Sequence, residues 1–191
     1  MDDFFAILRI VERKCDDFGV PRIDIDDGIA LYSLLYVLAT EKNNVVVIDA
    51  GAGVGYSTLW LLKALEDACA EGVLYAIERD KTRFLELEKT LGMLKASCVK
   101  VYSINDDAIE FVERKFDFET LNFIFIDIDK NKYFDMFIAA KNKLAKGGLM
   151  AFHNAYMVKN IVEKILNEAH KINWFATIIP TDEGILLLRK R

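Results

Sequence analysis

Residues 45–58 read VVVIDAGAGVGYST. Four apolar β-branched residues lead into Asp49, and glycines follow at positions 51, 53 and 55. From Thr58 the pattern turns helical in TLWLLKAL. This order predicts a buried strand, a tight turn and a helix start. In an open α/β sheet that is where a nucleotide-like ligand is held, at the carboxyl edge of the strands. The dinucleotide fingerprint needs its third glycine one position later, so that helix and strand pack closely and leave room for a pyrophosphate. Here that position is Tyr56, and the spacing is D-x-G-x-G-x-G. Asp49 puts a carboxylate in the cradle, which repels phosphate and suits an ammonium group. The ligand this favours is S-adenosylmethionine (SAM), with a zwitterionic amino-acid end and a cationic sulfonium. A purely structural βα turn and another nucleotide are the competing readings.

Outward from this segment the chain alternates. Helical patterns cover 2–17 and 26–40. Strands are expected at 45–49, 73–78, 98–102, 121–127 and 148–153, with helices at 56–70, 80–95, 106–114, 131–145 and 157–171 between and after them. Repeated βα units predict a parallel sheet with helices on both faces. Continuous apolar runs such as LNFIFID suit strands buried on both sides. The end of the chain departs from this: NWFATIIP and GILLLRK are joined only by the turn around Asp182–Gly184. They should pair as an antiparallel hairpin. The fold class is therefore α/β: a Rossmann-like, mostly parallel seven-stranded sheet ending in an antiparallel hairpin. It is the layout of SAM-dependent methyltransferases by fold-level analogy. One domain is expected over 1–191, with 1–40 a short helical extension on a 41–191 core.

Composition narrows the function classes. The chain has 191 residues, 53% of them hydrophobic, and a net charge of −5. That is ample for a core and offers no general nucleic-acid or anionic-membrane footprint. The longest uncharged apolar run, near Ile29–Ala39, is too short to span a bilayer. The start MDDFF lacks a basic region before an apolar stretch, so it does not read as a secretory signal. Cys15, Cys69 and Cys98 show no metal or CxxC spacing, and a cytoplasmic location with reduced thiols is expected.

Four later strand ends carry polar groups to the predicted ligand edge. Glu78, 23 residues after Gly55, can accept hydrogen bonds from both ribose hydroxyls; its bland alternative is an acid opening the next helix, a role Asp80 serves better. Asp107, or the backbone at Ala108, could meet the adenine edge; equally, Asp107 is an ordinary N-cap. Asp127 and Asp129 flank Ile128, with Lys130 following. They could bind a cation, position the sulfonium or deprotonate a hydroxyl, or they could form a capping cluster. His153 and Asn154 end the next strand. With Asp127 they offer carboxylate, imidazole and amide oxygen, a set for Mn²⁺, Fe²⁺ or Zn²⁺ and less so for Mg²⁺. A lone histidine is more often simply packed, and His170 reads that way.

These residues bring out a resemblance. From about Ile23 onward the chain resembles the cation-dependent O-methyltransferases related to catechol and caffeoyl-CoA O-methyltransferases, including small prokaryotic members. It is carried by VVVIDAGAGVGYSTLWLLKAL, YAIERD, FIFIDIDKNKYFDMF with KNKLAKGGLMAFHN, and IIPTDEGILLLRK. The resemblance implies that Gly51, Gly53, Tyr56 and Ser57, beside Asp49 and Gly55, hold the methionine part of SAM. Glu78 would hold the ribose, and Asp107 with Ala108 would lie along the adenine. Asp127 would contact the ammonium side and serve as first metal ligand. Lys130 would stand near the acceptor hydroxyl, and Asn154 would be the Asn of an Asp-Asn metal pair. Two departures stand out: His153 replaces that pair's Asp, and no substrate-covering insertion follows the fifth strand. The first favours a softer metal than Mg²⁺, or no metal. The second predicts an open acceptor site, or one completed by a second subunit in a homodimer.

The expected function is SAM-dependent methyl transfer to a hydroxyl acceptor, with Lys130 and Asp127 catalytic and a divalent metal (Mn²⁺, Mg²⁺ or another) assisting at Asp127, His153 and Asn154. Alternatives are a non-catalytic SAM-binding module and an NAD-dependent oxidoreductase. A tRNA base is the lesser acceptor option, given the acidic charge. No membrane partner is expected.

Overall fold

The computed structural model describes residues 4–42 and 44–191. Two helices, α1 (Phe4–Phe18) and α2 (Ile25–Thr40), precede the alternating part; residues 2 and 3 of the expected first helix lie outside the described residues. Then follow β1 (Val45–Ala50), α3 (Tyr56–Asp67), β2 (Gly72–Ile77), α4 (Lys81–Gly92), β3 (Val99–Ile104), α5 (Ala108–Lys115) and β4 (Leu121–Ile126). A single 3₁₀ turn (Lys130–Lys132) leads into α6 (Tyr133–Ala140), β5 (Leu144–Phe152), α7 (Lys159–Lys171) and the hairpin β6 (Phe175–Ile179) and β7 (Ile185–Arg189).

The sheet order is β3-β2-β1-β4-β5-β7-β6. Strands β1 to β5 are parallel, and β7 runs antiparallel to both β5 and β6. The winding reverses between β1 and β4, which opens the crevice where ligands sit in such sheets. All six residues of β4 are buried. Phe123 and Phe125 face the layer of α1, α2 and α3, while Ile124 and Ile126 face α5, α6 and α7. Both faces are dry, which is why β4 reads as an unbroken apolar run.

The expected helix 131–145 is corrected. It begins as a 3₁₀ turn and α6 stops at Ala140. Leu144 already belongs to β5, opposite Leu121, and the register then shifts so that Phe123 meets Leu149. Gly147, at φ +72°, allows the irregularity, and a Cβ on Gly148 would stand 2.8 Å from the Ala145 carbonyl. The apolar spacing of Leu144 imitates one more helical turn, but strand pairing claims the residue.

The first forty residues are built into the core. Phe4, Leu8, Val11 and Cys15 of α1 are buried, and the rings of Phe4 and Trp60 meet edge-on at 5.0 Å. Burial of large apolar side chains is worth about 1.5–3 kcal/mol each before ordering costs. Helix α2 crosses α3 at Gly28, where a Cβ would sit 2.3 Å from the Trp60 ring. This packing lays the α1–α2 loop over the glycine turn, with Val20 against Gly53.

Candidate active site

A cavity of about 470 Å³ opens at the carboxyl ends of the parallel strands. That is a volume typical of small-molecule sites. Its floor is the β1–α3 turn. Gly51 has φ +92°, and a Cβ there would lie 2.2 Å from the Asp127 carbonyl oxygen. Glycine is therefore required both for its conformation and for the close approach of the β1 and β4 ends. Gly55 (φ +105°) takes the N-cap position of α3. The Gly53 amide donates to Glu78 Oε2 at 3.0 Å, and the Asp80 amide donates to Oε1 at 2.7 Å. Glu78 is thus held by two backbone donors at the cavity wall. Tyr56 and Ser57 line the same wall, and the Tyr56 hydroxyl donates to Glu12 of α1 at 3.2 Å.

Asp49 stands elsewhere than expected. It is fully buried and is not among the residues that line the cavity. Its Oδ2 accepts from the Ser57 hydroxyl at 2.8 Å and the Thr58 hydroxyl at 2.5 Å. Burial pushes its carboxyl up to about 6. Its β1 position points it under the first turn of α3, so it supports the cradle from behind. At the adenine end expected from the sequence, Asp107 and Ala108 line the cavity. Asp107 also caps α5, its Oδ1 accepting from Ile109 and Glu110 amides. One oxygen serves the cap, and the residue also keeps a place on the cavity wall. Asp129 caps nothing with its side chain and pairs with Arg79 at 2.8 Å.

The far end of the cavity gathers charge. Lys130 Nζ donates to Asp127 Oδ1. His153 is 2% exposed; its Nδ1 lies 3.4 Å from Asp127 Oδ2, close enough for an ion pair but too poorly aligned for a hydrogen bond. Its Nε2 is hydrogen-bonded to Asp27 Oδ2 at 3.0 Å and stands 3.3 Å from Glu183 Oε2. The Asn154 side-chain amide donates to Glu183. Burial alone would lower the imidazole, yet the Asp127 and Asp27 carboxylates beside it raise it to about 9. Burial alone would raise the Asp127 carboxyl, but His153 and then Lys130 hold it below the usual carboxylate range.

Asp27 and Glu183 escaped the sequence reading. Asp27 looks like half of the Asp24-x-x-Asp27 capping pair that opens α2, and it does fill that role. Glu183 looks like a hairpin-turn residue. The α1–α2 loop was missed as well: Val20, Pro21, Arg22 and Ile23 line the cavity opposite Asp127. On the other side a short turn joins β5 to α7, and Met157, 69% exposed, stands at the rim.

The expected metal set of Asp127, His153 and Asn154 does not fit a divalent ion. Among the described residues no three acidic, histidine or cysteine side chains converge as ligands. Lys130 takes one Asp127 oxygen, Asp27 takes His153 Nε2, and Asn154 is turned toward Glu183. Without displacing these partners a metal would meet Asp127 Oδ2 and His153 Nδ1 with the Lys130 ammonium beside them, a poor site for a divalent cation.

Comparisons with known proteins agree with this architecture. A family model described as O-methyltransferase matches residues 12–189. A relative from Mycolicibacterium smegmatis, named as a candidate O-methyltransferase, is 27% identical over 150 residues, spanning 78% of this chain and 68% of its own length. The O-methyltransferase from Bacillus cereus, solved in complex with SAH, superposes with a TM-score of 0.77 at 19% identity, covering 97% of this chain and 91% of that one. The O-methyltransferase TomG from Streptomyces achromogenes, solved in complex with SAM, gives 0.76 at 17% identity over 96% and 89%.

Proposed function

The chain belongs to the O-methyltransferase family, and from that premise we propose that its cavity holds SAM and presents the methyl group to a hydroxyl acceptor at the Asp127–Lys130 end. The observation that carries this reading is the pairing of Glu78 with the Gly53 amide across the cavity wall. It leaves a fixed carboxylate for a ribose diol beside the glycine turn. The methionine end would lie along Gly51, Gly53, Tyr56 and Ser57, with the adenine near Asp107 and Ala108.

The chemistry asks little of the protein beyond alignment. The acceptor oxygen attacks the methyl carbon in line, a C–O bond forms, and the C–S pair returns to sulfur, leaving S-adenosylhomocysteine (SAH). The hydroxyl proton leaves to water at the open rim. The Lys130 ammonium, with its side chain about a third exposed, stabilises the resulting oxyanion, and Asp127 keeps the ammonium aimed into the cavity. In this reading Lys130 is the charge partner and Asp127 the positioning carboxylate. A phenolic hydroxyl of a small molecule suits the scale of the cavity better than a tRNA base.

The assay is transfer of labelled methyl from SAM to a panel of monohydroxy and dihydroxy aromatic acceptors. Labelled, O-methylated product supports the reading; SAH binding without transfer to any acceptor would favour a non-catalytic module. Tyr56 at the third-glycine position and the β6–β7 hairpin disfavour a nicotinamide enzyme.

The three cysteines are free, which supports a reducing, cytoplasmic setting. An apolar groove between α2 and the edge strand β6 leaves Val37 61% and Phe175 52% exposed, which supports a homodimer; sedimentation velocity checks it. Among the described residues, no helix is long and apolar enough to cross a membrane.

A further inference from the structure

We propose that in this chain the side chain of His153, clamped between Asp27, Asp127 and Glu183, stands in place of the divalent cation expected from the sequence, so that methyl transfer here needs no metal. The inference rests on the methyltransferase reading above and concerns how that site is completed.

Three carboxylates surround one imidazole. Asp27 comes from α2, Asp127 from the end of β4, and Glu183 from the β6–β7 turn, at 3.0, 3.4 and 3.3 Å from the nearest ring nitrogen. Asp27 is completely buried and His153 nearly so. Asp127 is partly buried and Glu183 more open to water; carboxylates this close to a buried one repel it unless a cation lies between them. A bare Nδ1 lone pair facing Asp127 Oδ2 would add to that repulsion. A hydrogen on each ring nitrogen resolves both problems with atoms the chain already supplies. Lys130 supplies a second positive group at Asp127 Oδ1. Two positive groups thus stand against three carboxylates, and the third of these, Glu183, has a side chain 42% exposed to water.

A metal has a poorer claim on the same space. It would take the hydrogen from His153 Nδ1, and with it the positive charge that stands among Asp27, Asp127 and Glu183. It would also sit beside the Lys130 ammonium that pairs with Asp127 Oδ1. Asn154, the remaining expected ligand, is held by Glu183 through its amide nitrogen and sits at φ +54°. Aspartate at position 153 would reverse the balance. Its carboxylate would join Asp127 and Asp27 with no imidazole between them, and an oxygen-rich cluster of that kind favours a hard divalent cation. A site without metal also lacks a chelating centre, so a second hydroxyl beside the reacting one has no partner to bind.

The test is Mn²⁺ titration of the full-length protein, followed by the electron paramagnetic resonance signal of free Mn²⁺, with SAH affinity measured in parallel. For the unaltered protein the expected result is no uptake up to roughly 1 mM Mn²⁺, and a thermal midpoint indifferent to Mn²⁺ or EDTA. His153→Asp should take up one Mn²⁺ per chain and melt higher with it. If that variant does not fold, the result for the unaltered protein still decides. Binding of one Mn²⁺ per chain at micromolar concentration, abolished by His153→Ala, overturns the proposal. Failure of SAH to bind strikes the methyltransferase reading instead, so the two failures are distinguishable.

Discussion

His153 Nε2 and Asp27 Oδ2 meet at 3.0 Å across 126 positions of sequence, and both groups are buried. The contact ties the N-terminal helix pair to the carboxyl end of β5, so the architecture of the site depends on a helix that precedes the nucleotide-binding core. It also gives stability a defined pH dependence. The imidazole is raised from its ordinary 6.5 to about 9 in the folded protein. The stabilisation it brings is fully present below pH 6.5 and is lost as pH rises through 9. Chemical denaturation should show unfolding free energy falling across that window, by up to about 3 kcal/mol, and His153→Gln should flatten the fall. A stability flat from pH 6 to 9.5 contradicts the clamp.

Glu78 is the residue on which nucleoside affinity should depend most. Two charge-assisted hydrogen bonds to the ribose are at stake, so Glu78→Ala should weaken SAH binding by roughly 10²-fold or more. Glu78→Gln keeps one acceptor and should recover part of it. Calorimetric titration reads both. An unchanged affinity removes Glu78 from the ribose.

Gly51→Ala should be among the most damaging single-methyl changes in the protein. The added Cβ meets the Asp127 carbonyl at 2.2 Å and the backbone sits at φ +92°. A loss of about 2–4 kcal/mol is expected in thermal or urea unfolding. Gly92 has open space around it, so Gly92→Ala is the control and should change stability by less than about 1 kcal/mol.

Lys130→Ala should lower kcat by roughly 10²–10³-fold once an acceptor is found, with SAM affinity little changed. Lys130→Arg keeps the charge and should retain part of the rate. If Lys130→Ala raises KM for SAM while kcat holds, Lys130 belongs to the cofactor site.

Most of this was legible from local patterns. The strand tips at Glu78, Asp107, Asp127 and His153 stand out because a buried strand ends in a polar residue. The glycine turn is legible because Gly51 and Gly55 serve backbone conformations that other residues resist. The direction of Asp49 was not legible: the spacing places it at the tip of β1, but which hydroxyls it meets depends on the first turn of α3. Asp27 and Glu183 were hidden for another reason. Each has a local excuse, a helix cap and a turn, and the contacts that give them a second role span 126 and 30 residues. The boundary of α6 failed because the spacing of Leu144 suits a helix as well as a strand, and its pairing with Leu121 is a tertiary fact.

The most direct test of the whole account is a calorimetric titration of the unaltered protein with SAH, and separately with NAD⁺. The account predicts one SAH per chain with a Kd in the range of about 1–100 µM, and no heat from NAD⁺. Absence of SAH binding at millimolar concentration in folded protein would contradict it.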